Sequence, residues 1–210
     1  MKRLLIIGAG GFGREIAVWA SDVQARDQGF RVEGFLDANP SALDGFKTGL
    51  PILADPLDYK PSDQDVFVCA IGDPVQKLKI CRSMKERGAL FLTLLHPTAV
   101  VGPRCQIGEG CVVCPGAILT TDIELGAFVT LNILSCIGHD VVVGQGCILN
   151  PHAGVMGRAR LGEGVFLGSH AVVLPGAKVG DYARVGAGSV VLNKAAARTT
   201  VMGVPARKVY

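Results

Sequence analysis

Every sixth residue from Val101 to Val191 is Val, Ile or Leu: Val101, Ile107, Val113, Leu119, Leu125, Leu131, Ile137, Val143, Leu149, Val155, Leu161, Leu167, Val173, Val179, Val185 and Val191. The frame holds through sixteen hexads without a slip. An α-helix, with 3.6 residues per turn, would carry such a series off its own face within two hexads, so helix is excluded. The fourth residue after each aliphatic one is also restricted, running from Cys105, Cys111, Ala117 and Ile123 to Ala183, Ser189 and Ala195. Positions i and i+4 share a face in extended chain. The residue directly after the aliphatic one is Gly in nine of the sixteen hexads, which suits a chain that bends at a corner, often with unusual φ. The pattern predicts short strands joined by corners and stacked in coils. A large aliphatic and a small side chain per hexad fill the interior, and backbone hydrogen bonds run between coils. A β-sandwich has irregular strand spacing and does not account for a fixed frame of this length.

Composition agrees with narrow coils rather than a bulky core: 28 of 210 residues are Gly and 6% are aromatic. Net charge is +3 with no basic run, which does not suggest nucleic-acid binding. Met1-Lys2-Arg3 leads into a short apolar stretch with no small-residue cleavage site behind it, and no apolar run is long enough to span a membrane. Cys111 and Cys114 spell C-x-x-C, but no second pair or His cluster follows, so no metal is expected. The chain reads as a reduced, cytoplasmic protein.

Residues 1–95 follow different rules. A buried strand from Arg3 runs into Gly8-Ala9-Gly10-Gly11-Phe12-Gly13, and a helical stretch begins at Arg14. This is G-x-G-x-x-G between strand and helix: glycines permit the tight turn, and the helix N-terminus offers free N–H groups to phosphate. A second strand, 31–36, ends in Asp37, where an acidic residue commonly takes a ribose hydroxyl. A third strand, 65–71, precedes Gly72-Asp73-Pro74, then a helix over 75–87 and a fourth strand over 89–95. The expectation is half of a Rossmann-like α/β domain, too short for a complete dinucleotide site and better suited to a mononucleotide. The domain division is 1–95, 96–196 for the hexad array, and a tail of 197–210.

The order of these motifs is similar to the NeuD/PglD-like sugar acyltransferases: G-A-G-G-x-G-R-E at the start, A-I-G-D at a strand end, H-P-x-A at the junction, and a hexad array closed by G-V-P-A. The resemblance covers essentially the whole chain. It implies a left-handed parallel β-helix, a homotrimer with the active site between subunits, and acetyl transfer from acetyl-CoA to a nucleotide-linked sugar. By the same resemblance Gly8, Gly10, Gly11, Phe12, Gly13, Asp37, Ile71 and Gly72 cradle the nucleotide sugar. The family motif N-x-x-x-x-x-x-H-[DE] matches Asn132 and His139-Asp140. That assigns His139 as general base, an apt residue because imidazole titrates near working pH. Asp140 is expected to orient it, provided a corner brings two adjacent side chains together, and Asn132 to position the ring or substrate.

The chain departs from the family twice. Relatives often carry a second His nine residues after the catalytic one, where this chain has Ile148, and often G-G-H-G, where it has Phe12. His152 and His170 are eighteen residues apart and stack if a coil takes three hexads; His96, before Pro97, reads as structural. By match with relatives, Gly157, Ser169 and Ala187 are expected along the CoA arm, with Arg207 and Lys208 near its phosphates. The acceptor is expected to be the amine of a UDP-4-amino-4,6-dideoxy sugar, with a sialic acid-like or polysaccharide hydroxyl second. Competing readings are a non-catalytic nucleotide-sugar scaffold, an NAD-dependent enzyme, and a metalloenzyme using His139, His152 and His170.

Overall fold

The computed structural model describes residues 1–24, 26 and 29–209. In the hexad region each aliphatic residue closes a short strand, and strands up to Val172–Val173 pair in parallel with the strand eighteen residues on, the final rungs Lys178↔Lys194 and Arg184↔Thr200 closing at sixteen. Thr130↔Ile148 and Leu131↔Leu149 are typical. Three hexads therefore make one coil, and the strands form three parallel sheets along a β-helix. The docked sheet comprises Leu94–Leu95, Val112–Val113, Thr130–Leu131, Ile148–Leu149, Phe166–Leu167, Arg184–Val185 and Thr200–Met202, finished by antiparallel Arg207–Lys208. The apolar sheet comprises Val100–Val101, Ile118–Leu119, Cys136–Ile137, Gly154–Val155, Val172–Val173 and Val190–Val191. The charged sheet comprises Gln106–Ile107, Glu124–Leu125, Val142–Val143, Arg160–Leu161, Lys178–Val179 and Lys194–Ala195.

The aliphatic ladder is buried from Val113 to Val191, with the small positions from Cys111 to Ala195 packed against it in one continuous core. Burying a Val, Leu or Ile side chain contributes about 1.5–3 kcal/mol, and repetition of that gain along the coil axis compensates for strands of two residues.

The corner glycines work differently from the expectation. Left-handed backbone occurs two residues later, at Arg104, Gly110, Asp122, Asp140, His152 and their equivalents, where more residues are non-glycine than glycine. The glycine directly after the aliphatic residue is there because the coils touch. A Cβ on Gly144 would lie 2.4 Å from the Gly162 carbonyl oxygen. Close approach of backbone, not unusual φ, excludes a side chain.

The N-terminal part is a four-stranded parallel sheet built from β1 (Lys2–Ile7), β2 (Phe30–Leu36), β3 (Ile52–Ala54) and β4 (Asp65–Cys69), in the order β3-β2-β1-β4. Helix α1 (Gly11–Gln24) follows β1, and α2 (Pro74–Glu86) follows β4. The strand expected over 89–95 is divided: Phe91 makes a single bridge to Phe67, whereas Leu94–Leu95 already pairs with Val112–Val113 in the β-helix. The chain thus passes from α/β sheet to coil with no linker. Pro74 opens α2 where a missing N–H costs nothing, and the Asp73 carboxylate caps it by accepting from Val75 and Gln76 N–H at 3.0 Å each.

This part sits on the docked sheet. Outward residues Val112, Thr130 and Ile148 are consequently buried, whereas Ile118 on the apolar sheet and Glu124 on the charged sheet are exposed. Leu78 of α2 fills the space above Gly146, and Phe91 packs edge-on against Phe128. Arg82 pairs with Glu163 at 2.9 Å, and Arg184 with Asp73 at 3.1 Å. Among the described residues, no helix is long and apolar enough to cross a membrane.

Candidate active site

The glycine turn leads directly into α1. Gly8 has φ +100°, and a Cβ on Gly13 would lie 2.0 Å from the Gly8 carbonyl oxygen, so the first turn of α1 packs flush on the strand end. Asp37 fastens the turn: one carboxylate oxygen accepts the Ala9 N–H at 2.7 Å and the other the Asn39 N–H at 2.8 Å. Asp37 therefore already has a structural task, beside any contact to a ligand. Gly10 and Gly11 lie exposed at the mouth of the turn.

A cleft of about 260 Å³ opens between this turn and the docked sheet. It is lined by Phe12, Glu15, Ile71 and Gly72 on one side and Thr130, Asn132, Ile133, Ile148, Asn150 and Pro151 on the other. The structure thus brings Phe12, Ile71 and Gly72 together with Asn132. The sequence reading missed the remainder. One signal was available: Asn132 and Asn150 place polar amides one coil apart at the hexad position that is most often Gly, next to Thr130 and Ile148, which point the same way.

His139 and Asp140 lie elsewhere, on the corner between the apolar and charged sheets. Asp140 has φ +60°, and this corner turns two consecutive side chains toward each other, so His139 Nδ1 and Asp140 Oδ2 are 2.7 Å apart. That bond leaves Nε2 as the open ring nitrogen. The ring rests on the next coil, where a Cβ on Gly157 would come within 2.5 Å of Nε2. The pair is open to solvent, at 56% and 55% side-chain exposure. One coil earlier, Arg104 clamps Asp122 (Nη2 to Oδ2 at 2.7 Å). The Arg104 hydrogen bonds, helped by the Thr121 hydroxyl, hold the Asp122 carboxyl down at about 2. One coil later, the Arg158 N–H donates to the His139 carbonyl at 2.8 Å, and Arg160 Nη1 donates to the Asp140 carbonyl at 3.2 Å. The Arg104 to Arg160 stretch of this face forms a groove of about 330 Å³ that includes Asp122, Glu124 and Asp140.

The other candidates divide between corners. Gly157 is under His139, whereas Ser169 and Ala187 lie on the corner between the docked and apolar sheets, beside His152 and His170. The rings of His152 and His170 stack with centroids 4.6 Å apart and planes 4° from parallel, as the eighteen-residue coil requires. Arg207 and Lys208 are exposed on the last strand. His96 ties the junction to α1, with Nδ1 2.8 Å from the Thr98 hydroxyl and Nε2 3.3 Å from Asp22. Within one chain, then, the cleft with Asn132 and the His139–Asp140 pair occupy different corners of the prism.

Known proteins resemble this chain in sequence and fold. The family model "PglD N-terminal domain" matches residues 3–84, and "Bacterial transferase hexapeptide (six repeats)" matches 158–193. GDP-perosamine N-acetyltransferase of Escherichia coli O157:H7 is 29% identical over 151 residues, which is 70% of this chain and 67% of that protein. PerB from Caulobacter crescentus, solved with CoA and GDP-perosamine, is 30% identical; the match covers 100% of this chain and 98% of that one, with a TM-score of 0.87. The acetyltransferase domain of PglB from Neisseria gonorrhoeae, solved with acetyl coenzyme A, is 27% identical over 99% of both chains, with a TM-score of 0.90.

Proposed function

This chain belongs to the NeuD/PglD-like family of sugar acyltransferases, and from that premise we propose that it carries an acetyl group from acetyl-CoA to the amine of a nucleotide-linked sugar. It is an acetyl-CoA-dependent sugar acetyltransferase; the acceptor and the residues below are our assignment. The reading is carried by one observation: a His–Asp pair at 2.7 Å on a solvent-open corner, with the imidazole Nε2 free over a glycine.

In the proposed mechanism Nε2 of His139 takes the proton as the acceptor attacks the thioester carbonyl, and Asp140 fixes the tautomer and steadies the imidazolium. The tetrahedral intermediate collapses with C–S cleavage, the imidazolium returning the proton to the departing CoA thiolate. Gly157 leaves room for the ring and for the pantetheine arm, and a backbone N–H near it stabilises the oxyanion. The cleft holds the nucleotide sugar on the N-terminus of α1, with Phe12, Ile71, Gly72 and Asn132 against it. CoA extends past Ser169 and Ala187 toward Arg207 and Lys208.

Because cleft and base lie on different corners, the reading requires a neighbouring subunit to complete each site. The apolar sheet supports a homotrimer. Its outward residues include Val100, Ile118, Cys136, Val172 and Val190, whereas the charged sheet presents Gln106, Glu124, Arg160, Lys178 and Lys194 in the same positions. An exposed apolar face of this kind is what head-to-tail contacts between copies would cover in a closed ring of three. We place the enzyme in the cytoplasm, where acetyl-CoA and nucleotide sugars are available to it.

Our first choice of acceptor is a UDP-4-amino-4,6-dideoxy sugar. The test is thiol release from acetyl-CoA against UDP-, GDP-, dTDP- and CMP-linked sugars with and without a free amine. Turnover confined to amino sugars supports the reading and identifies the base. Turnover on hydroxyl acceptors alone replaces it with O-acetylation.

A further inference from the structure

Lysine is almost never fully buried without a partner of opposite charge, because desolvating an ammonium costs several kcal/mol or forces it neutral. Lys77, in the first turns of α2, is 1% exposed. It forms no ion pair among the described residues. Its Nζ reaches two neutral oxygens of the docked sheet, the Thr130 hydroxyl at 3.0 Å and the Cys147 carbonyl at 3.4 Å. That carbonyl already accepts the Thr130 N–H at 2.9 Å. An ammonium has three donors, so this head group is under-supplied with acceptors and with negative charge.

The position of those two oxygens gives the residue a purpose. Thr130 lines the cleft, and so does Ile148, which follows Cys147. Lys77 therefore lies directly behind the cleft wall. Among the residues lining the cleft only Glu15 carries a formal charge, and it is negative. A site for a sugar linked to a diphosphate needs positive potential. The N-terminus of α1 supplies part of it, and no Lys or Arg lines the wall to supply the rest.

We infer that Lys77 is a positioning residue for the substrate's diphosphate. Its ammonium donates to the Thr130 oxygen, which turns the Thr130 hydroxyl proton into the cleft toward a phosphate oxygen. Its charge, held in a water-excluded place, adds an attraction that a surface lysine would lose to screening. Placing the cation behind the wall keeps a lysine head group out of the space for the sugar and nucleobase. It also links the junction of the two parts to substrate binding, because α2 starts one residue after Asp73 and two after Gly72 of the cleft. The inference rests on the cleft holding a nucleotide sugar.

The test compares inhibition by nucleoside diphosphates (UDP, GDP, dTDP) with inhibition by the matching nucleosides, in the native enzyme and in Lys77→Met, Lys77→Arg and Thr130→Val. The expected result is a loss of about tenfold for the diphosphate in Lys77→Met and Thr130→Val, the size of a lost charge-assisted hydrogen bond. Nucleoside inhibition and the KM for acetyl-CoA should stay within about twofold, and Lys77→Arg, which keeps the charge but not the shape, should lose less diphosphate affinity than Lys77→Met. If Lys77→Met does not fold, Thr130→Val carries the same comparison. Equal losses for nucleoside and diphosphate, or none, overturn the inference and leave the proposed function standing. A native enzyme that binds no nucleoside diphosphate overturns both.

Discussion

In the β-helix a residue's surroundings are set by the residues eighteen before and eighteen after it; in the α/β part they are set by unique partners far away in sequence. Leu131 meets Val113 and Leu149, and its environment repeats at every coil. Asp65, in contrast, is held by the hydroxyls of Tyr59 and Ser62, the Ser62 N–H and Arg3, a set found once in the chain. Periodic structure can be read from a pattern, whereas singular structure requires the tertiary fold. The candidate site spans the two regimes, with His139 on a coil corner and the cleft where the singular part meets the repeating one.

The largest expected effect tests the coil corner. His139→Ala should lower turnover by about 10²- to 10⁴-fold, the usual worth of a general base, with CoA binding retained. Asp140→Asn should cost less. Stopped thiol-release kinetics check both, and near-normal turnover in folded His139→Ala would remove His139 from the chemistry.

Stability separates the regimes next. Leu131→Ala opens a cavity in a rung that both neighbouring coils share, and should cost about 2–5 kcal/mol in chemical denaturation. A smaller loss, about 1–3 kcal/mol, is expected for Asp65→Asn, which weakens one buried cluster. Burial alone would raise the Asp65 carboxyl, but the Ser62 hydroxyl and N–H, the Tyr59 hydroxyl and Arg3 outweigh it and hold it below the ordinary 3.8. Its stabilisation is therefore complete above pH 3.8 and is lost as pH falls through the lower native value. The gap between native and variant should close in strong acid.

Lys77 should behave oppositely. Burial pushes it below the ordinary lysine value of 10.5. Below pH 10.5 the unfolded chain takes up a proton that the native state resists, so native stability is reduced there. Lys77→Met removes that penalty. Its calorimetric advantage over the native chain should be largest below the lowered native value, shrink as pH rises from there toward 10.5, and be gone above 10.5.

These contrasts explain what the sequence disclosed. Coil, interior ladder, glycine turn, both helices and the His139–Asp140 corner were legible, because each depends on period, on local turn chemistry or on a short motif. The strand β3 went unread: it has three residues, follows Pro51 and holds only the sheet edge. The split of 89–95 went unread because Phe91 and Leu94 look alike in sequence and join different sheets. Glu15, Thr130, Ile148 and Lys77 went unread because docking of α1 and α2 on one sheet, which no period encodes, makes them neighbours.

The central claim is that one chain supplies the cleft and another supplies His139. Gly72→Trp offers a partner for His139→Ala: a Cβ at Gly72 meets nothing within 4 Å, so the indole can fill the cleft without straining the backbone. The most direct measurement is thiol release from the two variants, each inactive alone, after they are unfolded together and reassembled. If sites form between subunits of a closed trimer, a one-to-one mixture should recover about a quarter of native activity, since each mixed ring regains one intact site of three. A mixture as inactive as its parents would place cleft and base in a single chain and contradict the account.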